Sequence, residues 1–255
     1  MKKRVIPSLL INSGTQLCLS QKFKPWRSVG SLMQNLRMHV NREADELLII
    51  NLDYSTSIPF AIPLRLLQLV RKECDIPVTY CGGIRSASDA AFCINEGVDK
   101  VFVTSTFIDN QDSIKSIADL LGSQSIGVSL PYKRCSELNA NFVWDYRSKT
   151  STGIPLQKAI RKAVSGGAGE LLLHNVDLDG SMHGMDLELL DELSCDIPVP
   201  VLTAGGAGSP DDVSVALSKK FLSGVVVGSM FALTENTPTS VRAHCLSQGL
   251  PMRIV

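Results

Sequence analysis

The pentapeptide Cys74-Asp75-Ile76-Pro77-Val78 occurs a second time, unchanged, as Cys195-Asp196-Ile197-Pro198-Val199. Each copy leads into a pair of glycines, which are Gly82-Gly83 after the first copy and Gly205-Gly206 after the second. A single repeated pentapeptide could arise by coincidence. The glycine pair that follows each copy indicates that a longer structural unit is repeated.

The similarity extends to both sides of the pentapeptide. Upstream, residues 46–53 (ELLIINLD) resemble residues 170–177 (ELLLHNVD), and downstream 101–105 (VFVTS) resemble 225–229 (VVVGS). The three offsets are 195 − 74 = 121, 170 − 46 = 124 and 225 − 101 = 124. Because the matches keep the same order and nearly the same spacing, we predict that the chain consists of two similar halves.

In both halves, short apolar runs alternate with amphipathic stretches of helical length. The runs, which are typical of parallel strands buried on both faces, are 4–9, 46–52, 77–81, 100–105, 125–130, 170–176, 199–204 and 224–228. Helical spacing with Ser or Pro at the start is found at 63–72, 86–95, 155–164 and 210–218. Eight β-α units in two halves predict an α/β fold, a (β/α)8 TIM barrel made of two half-barrels. A doubly wound open sheet would not explain the repeat.

The 255 residues suit one barrel, so we predict a single domain over 1–255, with half-barrels at about 1–123 and 124–255. The 25 Lys and Arg balance 25 Asp and Glu, which argues against nucleic acid or a membrane surface as a partner. No apolar run reaches the roughly 18 residues of a membrane span. Seven cysteines without CxxC spacing indicate a cytoplasmic protein with reduced thiols, and we expect no metal and no cofactor.

Glycines and hydroxyl residues cluster at the predicted strand ends, where such a barrel carries its chemistry. Without a Cβ, glycine lets backbone N–H groups approach an anion closely. The candidate phosphate-binding residues are Gly82, Gly83, Thr104 and Ser105 in the first half and Gly180, Gly205, Gly206, Gly208, Gly228 and Ser229 in the second. A phosphorylated small molecule with a phosphate at each end would fit this pair of sites. The alternative is that the glycines only permit tight strand-to-helix turns.

The chain resembles the cyclase subunit of imidazole glycerol phosphate synthase, a histidine-biosynthesis barrel, over nearly its full length. The motifs that carry the resemblance include residues 3–7 (KRVIP), 82–84 (GGI), 177–180 (DLDG) and 205–208 (GGAG). Members of that family receive ammonia from a glutaminase subunit. The resemblance therefore implies a glutaminase as the partner in a heterodimer.

The resemblance also implies a ring of four charged residues that gates ammonia at the bottom of the barrel. The matching residues are Arg4, Glu46, Lys100 and Glu170, each at the beginning of a predicted strand. Asp99, next to Lys100, matches a residue that contacts the glutaminase in the family. The alternative is that the charges only close the barrel and stabilise it.

The family uses two aspartates as general acid and base, and the chain departs from it at both. The matching positions are Leu10 and Leu130, and leucine cannot exchange a proton, whereas Asp179 still matches an active-site aspartate. This pattern is similar to a branch that supports a sugar amidotransferase in lipopolysaccharide (O-antigen) biosynthesis. We therefore predict a non-cyclase subunit that activates a glutaminase and conducts ammonia. The alternative is an active cyclase, a lyase with a rewired acid–base pair of Asp179 and Asp53. A related sugar-phosphate isomerase would need the same two missing aspartates.

Three further features are interpreted without a firm role. His174 lies inside an apolar run and is interpreted as a packed or pore-lining residue, while His183 is a weaker candidate for a ligand contact. Trp26 and Trp144 follow the first and fifth strands in long loops, where they either form a lid or pack locally. Residues 146–150 (YRSKT) are interpreted as a solvated loop, and the alternative is that they add positive charge near a ligand phosphate.

Overall fold

The computed structural model describes residues 2–12, 16–52, 62–193 and 197–253. Within these residues, eight parallel strands close into a barrel, in the spatial order β10-β11-β12-β1-β4-β5-β6-β7, with β7 pairing back onto β10. They are β1 (Arg4–Asn12), β4 (Leu47–Asn51), β5 (Val78–Cys81), β6 (Lys100–Val103), β7 (Ile126–Cys135), β10 (Glu170–Asn175), β11 (Val201–Ala204) and β12 (Leu222–Val227). The prediction of a (β/α)8 barrel is therefore confirmed.

Helices connect the strands and cover the outside of the barrel. They are α1 (Leu32–Asn41), α2 (Leu64–Glu73), α3 (Ala87–Asn95), α4 (Ser105–Asp109), α5 (Ser113–Leu121), α6 (Leu156–Ser165), α7 (Leu187–Glu192), α8 (Pro210–Leu217), α9 (Ser229–Leu233) and α10 (Pro238–Ser247). In the part of the chain that the structure describes, no helix is long and apolar enough to cross a membrane.

The repeat in the sequence corresponds to repeated local structure. Helices α3 and α8 begin with the same capping box, in which a serine and an aspartate three residues later bind each other's backbone N–H. Gly82 and Gly205 follow equivalent strands with φ of +131° and +100°. A Cβ at these two positions would lie 2.5 and 2.6 Å from the carbonyl oxygens of Asn51 and Asn175, respectively. Both glycines are therefore required by the turn itself, and the two halves repeat that turn.

Each predicted half supplies four strands to the barrel, and the proposed division near residue 123 falls between α5 and β7. The barrel strands are apolar on both faces because both faces are buried. In β12, for example, all six residues are buried. Val225 packs outward in the core shared with the helices, whereas its neighbour Val226 fills the barrel interior.

The structure differs from the prediction in the segments after the first and fifth barrel strands, which form antiparallel sheet rather than loops. Strand β1 pairs with β2 (Gln16–Gln21), which pairs with β3 (Lys24–Ser31). Strand β7 pairs with β8 (Ala140–Asp145), which pairs with β9 (Thr150–Pro155). The outer strands β3 and β9 are mostly exposed and lack an apolar run, so hydrophobic periodicity does not reveal them.

Both tryptophans lie in these added strands. Trp26 in β3 is 49% exposed, and Trp144 in β8 lies beneath the Lys133 ammonium, 4.3 Å from the ring centroid. Trp144 therefore packs against a neighbouring side chain, which is the local packing predicted from the sequence as the alternative to a lid.

Candidate functional site

Strand β10 carries three inward-facing residues that mark three levels of the barrel. Glu170 binds charged partners at the bottom, Leu172 belongs to the interior apolar cluster, and His174 lines the cavity at the top. The intervening residues Leu171 and Leu173 pack outward against the helices. Four residues of strand span about 13 Å, so Glu170 and His174 lie about this far apart along the barrel, with Leu172 between them.

The four charged residues predicted for the bottom of the barrel do form one connected group. Arg4 Nη1 lies 2.7 Å from Glu46 Oε2, and the other Arg4 Nη binds Glu170. Lys100 Nζ lies 2.5 Å from Glu170 Oε2. Burial opposes the charge on Arg4, but Glu170 and Glu46 outweigh it and raise the pKa of Arg4. We call these four residues the lower ring.

A hydroxyl extends the lower ring, and an exposed carboxylate borders it. Thr79 Oγ1 donates to Glu46 Oε1 at 2.7 Å, so both carboxylate oxygens of Glu46 are bound. Asp99 is exposed at the same end and accepts a hydrogen bond from the Val78 N–H at 2.8 Å. Asp99 therefore anchors the start of β5 while remaining at the surface beside Lys100.

An apolar layer fills the barrel above the lower ring. Its buried members are Ile6, Leu48, Phe102, Leu172, Leu202, Ala204 and Val226. The Phe102 ring is 1% exposed and packs directly on Gly127, where any Cβ would overlap the ring. Gly127 is therefore a glycine because a phenylalanine from the neighbouring strand occupies its side of the barrel.

Two adjoining cavities open at the top of the barrel. One has a volume of about 360 Å³ and the other about 50 Å³. Both are lined by Leu10, Ser20, Ile50, Leu172 and His174, which form the boundary between them. We call them the large cavity and the small cavity.

The predicted phosphate-binding residues divide between these cavities according to the half that supplies them. The first-half residues Gly82, Gly83, Thr104 and Ser105 line the large cavity, and the second-half residues Gly180, Gly205, Gly206, Gly228 and Ser229 line the small cavity. Gly208 lines neither. Its N–H donates to Asp212 Oδ2 at 3.0 Å, in the capping box of α8, so Gly208 has a structural role in the turn.

Leu10 faces the inside of the barrel, whereas Leu130, the position matched to the second family aspartate, does not. Leu10 lines both cavities at the end of β1. Leu130 is fully buried in the core outside the barrel, and the inward residues of β7 are Ser129 and Pro131, which line the large cavity. Successive side chains of a strand point to opposite faces of the sheet, so a shift of one residue exchanges an inward position for an outward one. The inward residue at this strand end is therefore Pro131, which also has no ionisable group.

An imidazole–carboxylate pair lies between the two cavities. His174 Nε2 is 3.3 Å from Asp179 Oδ1, while Asp179 Oδ2 accepts hydrogen bonds from Ser20 Oγ at 2.6 Å and from the Phe23 N–H at 3.0 Å. The Phe23 ring packs edge-on against His174, with 4.5 Å between ring centroids. Burial opposes the charge on Asp179, but the hydrogen bonds from His174, Ser20 and Phe23 outweigh it and lower the pKa of Asp179.

This pair is the one acid–base arrangement that the described residues place at the cavity boundary. His174 Nδ1 makes no hydrogen bond to any described residue. The interpretation of His174 as pore-lining is correct, but the sequence did not reveal its carboxylate partner. Asp53, the other proposed member of a rewired pair, lies outside the described residues. His183 is exposed and lines neither cavity.

Residues of the segment 146–150 line the large cavity, so the expectation of a solvated loop is wrong for two of them. Tyr146 OH lies 2.9 Å from Ser105 Oγ. Arg147 is only partly exposed, and its guanidinium contacts Asp109 at 2.6 Å and Asp145 at 3.0 Å. The antiparallel strands β8 and β9 bring this segment over the cavity, and those strands were not predicted. Among the described residues, no cluster of His, Cys, Asp and Glu could hold a metal ion.

The sequence profile of the family described as "Histidine biosynthesis protein" matches residues 4–237. The chain belongs to this family. A putative imidazole glycerol phosphate synthase subunit HisF of Leptospira interrogans is 35% identical over 232 residues, which are 91% of this chain and 90% of that protein. The imidazole glycerol phosphate synthase subunit HisF of Dehalococcoides mccartyi strain BAV1 is 34% identical over 254 residues, covering 100% and 99% of the two chains.

A third relative has a related name. The putative imidazole glycerol phosphate synthase subunit hisF2 of Campylobacter jejuni is 33% identical over 257 residues, covering 100% of both chains. These relatives identify the chain as a HisF-like member of the family, which confirms the resemblance to the cyclase subunit that was inferred from the motifs.

Proposed function

We propose that the chain is the barrel subunit of a cytoplasmic glutamine amidotransferase complex. A glutaminase binds at the lower end of the barrel, and the ammonia that it releases passes along the barrel axis to the upper end. The observation that carries this proposal is the lower ring, in which Glu170 is only 1% exposed and is bound by both Arg4 and Lys100.

A purely structural role explains the lower ring less well. Buried ion pairs cost desolvation free energy, and apolar side chains of similar size often stabilise a core equally well. The chain has such side chains one level higher, in the apolar layer that includes Ile6 and Leu48. The position of these charges beneath an apolar layer therefore favours control of passage through the barrel over a purely structural role.

The apolar layer supports passage of neutral ammonia rather than ammonium. A charged group moved among hydrocarbon side chains loses its hydration without compensation, whereas a small neutral molecule loses far less. The Phe102 ring lies in this layer, so passage requires a displacement of that side chain. The exposed Asp99 at the lower rim is proposed to contact the glutaminase.

The acceptor of the ammonia is proposed to be a second enzyme, a sugar amidotransferase of lipopolysaccharide biosynthesis. This is supported by the inward strand ends, where Leu10 and Pro131 replace groups that could exchange protons. The glycines around the small cavity are proposed to bind the phosphate of a small-molecule ligand. Gly206, with φ of +98°, places its backbone in the cavity wall.

A second candidate function is an active cyclase, that is, a lyase of histidine biosynthesis. The observation that favours it is the His174–Asp179 pair, which provides an imidazole and a carboxylate at the same end of the barrel. Turnover of the usual bisphosphate substrate of the family, with ammonium salts as the nitrogen source, distinguishes the two candidates. The lyase predicts a measurable rate that His174→Ala abolishes, and the non-cyclase subunit predicts none.

A purified glutaminase subunit provides the direct test of the proposed complex. Its glutamine hydrolysis is measured alone, with this chain, and with the Lys100→Ala variant. Lys115→Ala is the matched control, because Lys115 forms only an exposed pair with Asp119. We expect the native chain and the control to stimulate hydrolysis equally and Lys100→Ala to alter the stimulation. Absence of both binding and stimulation would refute the complex.

A further inference from the structure

We propose that the two predicted phosphate sites are not equivalent, and that the chain binds an asymmetric ligand. The small cavity takes a phosphate, and the large cavity takes an uncharged group with an apolar face. The inference rests on the proposed phosphate site of the second half. It replaces the expectation of a ligand with a phosphate at each end.

The first observation is the difference in volume. At about 360 Å³, the large cavity is in the range of pockets that hold small organic molecules, whereas the small cavity measures about 50 Å³. The glycine turns at the two sites are alike, as the close approaches of Gly82 and Gly205 to neighbouring carbonyls show. The difference therefore arises from the side chains around the turns.

The second observation concerns the two serines that follow β6 and β12. In the first half, Ser105 Oγ is hydrogen-bonded to the Tyr146 hydroxyl at 2.9 Å, so a phenol occupies the position from which this serine would contact a phosphate. Its counterpart Ser229 makes no side-chain hydrogen bond to any residue that the structure describes, and it lines the small cavity. The hydroxyl of Ser229 remains available to a ligand.

The third observation is the charge around the large cavity. Arg147 contacts the cavity, but its guanidinium donates to Asp109 and Asp145. Among the described residues, Arg85 and Asp109 also line the cavity, and Asp145 lies behind Arg147. An isolated guanidinium is a strong phosphate ligand, whereas one shared between two carboxylates has its donors already engaged. Arg147 is therefore a weaker ligand for a phosphate than its position in the cavity wall suggests.

The fourth observation is the wall of the large cavity, which is mainly hydrocarbon. Its apolar members include Leu10, Ile50, Leu52, Ile84, Phe102, Val103 and Pro131. Burial raises the pKa of the Cys81 thiol to about 11, so this residue of the cavity wall is also uncharged at neutral pH. A neutral ring or acyl group buries apolar surface here, and a phosphate would lose its hydration against hydrocarbon.

The test is the binding of inorganic phosphate to the full-length chain, followed by calorimetry and by ³¹P NMR. Ser229→Asp and Ser105→Asp form a matched pair, because each places the same negative charge at the first residue of a short helix, where aspartate is well tolerated. We expect the native chain to bind one phosphate. Ser229→Asp should weaken binding about tenfold or more, since a like charge then lies within about 4 Å, and Ser105→Asp should leave it nearly unchanged.

Two phosphates per chain, or equal weakening by both substitutions, would overturn the inference and leave the proposed phosphate site intact. No phosphate binding by the native chain would overturn both the inference and that phosphate site. Neither result bears on the glutaminase complex, which the stimulation assay tests separately. Circular dichroism of both variants establishes that they are folded before binding is compared.

Discussion

His39 on α1 predicts a defined loss of stability in mild acid. The side chain is 3% exposed, its Nδ1 has no hydrogen-bond partner, and its ring lies 5.8 Å from that of Phe231. Burial, and to a smaller extent the positive charge of Arg42, lowers the pKa of His39 to about 4. The folded protein therefore holds this imidazole neutral at a pH where an exposed histidine is already charged.

The sign and size of the effect follow from the two pKa values. Above about pH 6.5, His39 is neutral in both states and contributes no pH dependence. As the pH falls from there towards the folded value, only the unfolded state takes up the proton, so the free energy of unfolding decreases. The decrease amounts to about 2 kcal/mol at pH 5 and about 3 kcal/mol at pH 4.

The measurement is urea unfolding of the native chain and of His39→Leu, followed by tryptophan fluorescence between about pH 7 and pH 4. Leucine is apolar and cannot take up a proton, while the carboxylates that titrate in the same range are common to both proteins. We expect the free energy of unfolding of the native chain to fall more steeply, by the amounts above. Parallel curves for the two proteins would show that His39 is not held neutral and would refute the reasoning.

Three further substitutions have expected outcomes. Asp45→Ala removes the closer ion-pair partner of the buried Arg242, at 3.0 Å, and leaves it the exposed Glu43 at 3.9 Å, so it should lower the free energy of unfolding by about 3 kcal/mol in urea titrations. Gly127→Ala should cost about 1–3 kcal/mol through overlap with the Phe102 ring, and Phe102→Leu should restore part of that loss, a coupling that a double-mutant cycle measures. Asp179→Asn should cost about 1–3 kcal/mol at neutral pH. Because the pKa of Asp179 lies below its usual value, this difference should shrink as the pH falls below about 4, and a pH-independent difference would contradict the assignment.

The barrel was predictable because it follows from patterns along the chain. A buried parallel strand is a continuous apolar run, and eight such runs in a two-fold repeat leave few alternatives to a closed barrel. The lower ring was predicted from the resemblance to the family, and its members Arg4, Glu46, Lys100 and Glu170 each stand at the start of an apolar run. Residues at the starts of parallel strands meet at one end of a barrel.

The upper end was less predictable because its geometry depends on long-range contacts. Successive residues of a strand face opposite sides of the sheet. A one-residue error in the alignment therefore puts Leu130, which packs outside the barrel, in the place of Pro131, which faces its interior. The pairing of His174 with Asp179 requires the loop after β10 to fold back over the strand, where Ser20 of β2 and Phe23 hold the carboxylate. No local sequence signal indicates that return.

The lower ring also breaks the symmetry that the repeat suggests. The first half contributes Arg4, Lys100 and Glu46, and within the described residues the second half contributes Glu170 alone. Two copies of the first half would therefore assemble four cations with two carboxylates, and two copies of the second would bring two carboxylates with no cation. Only the combination of one first half with one second half gives a ring with no net charge. The halves of this barrel, although alike in backbone, have become obligate complements of each other rather than interchangeable modules.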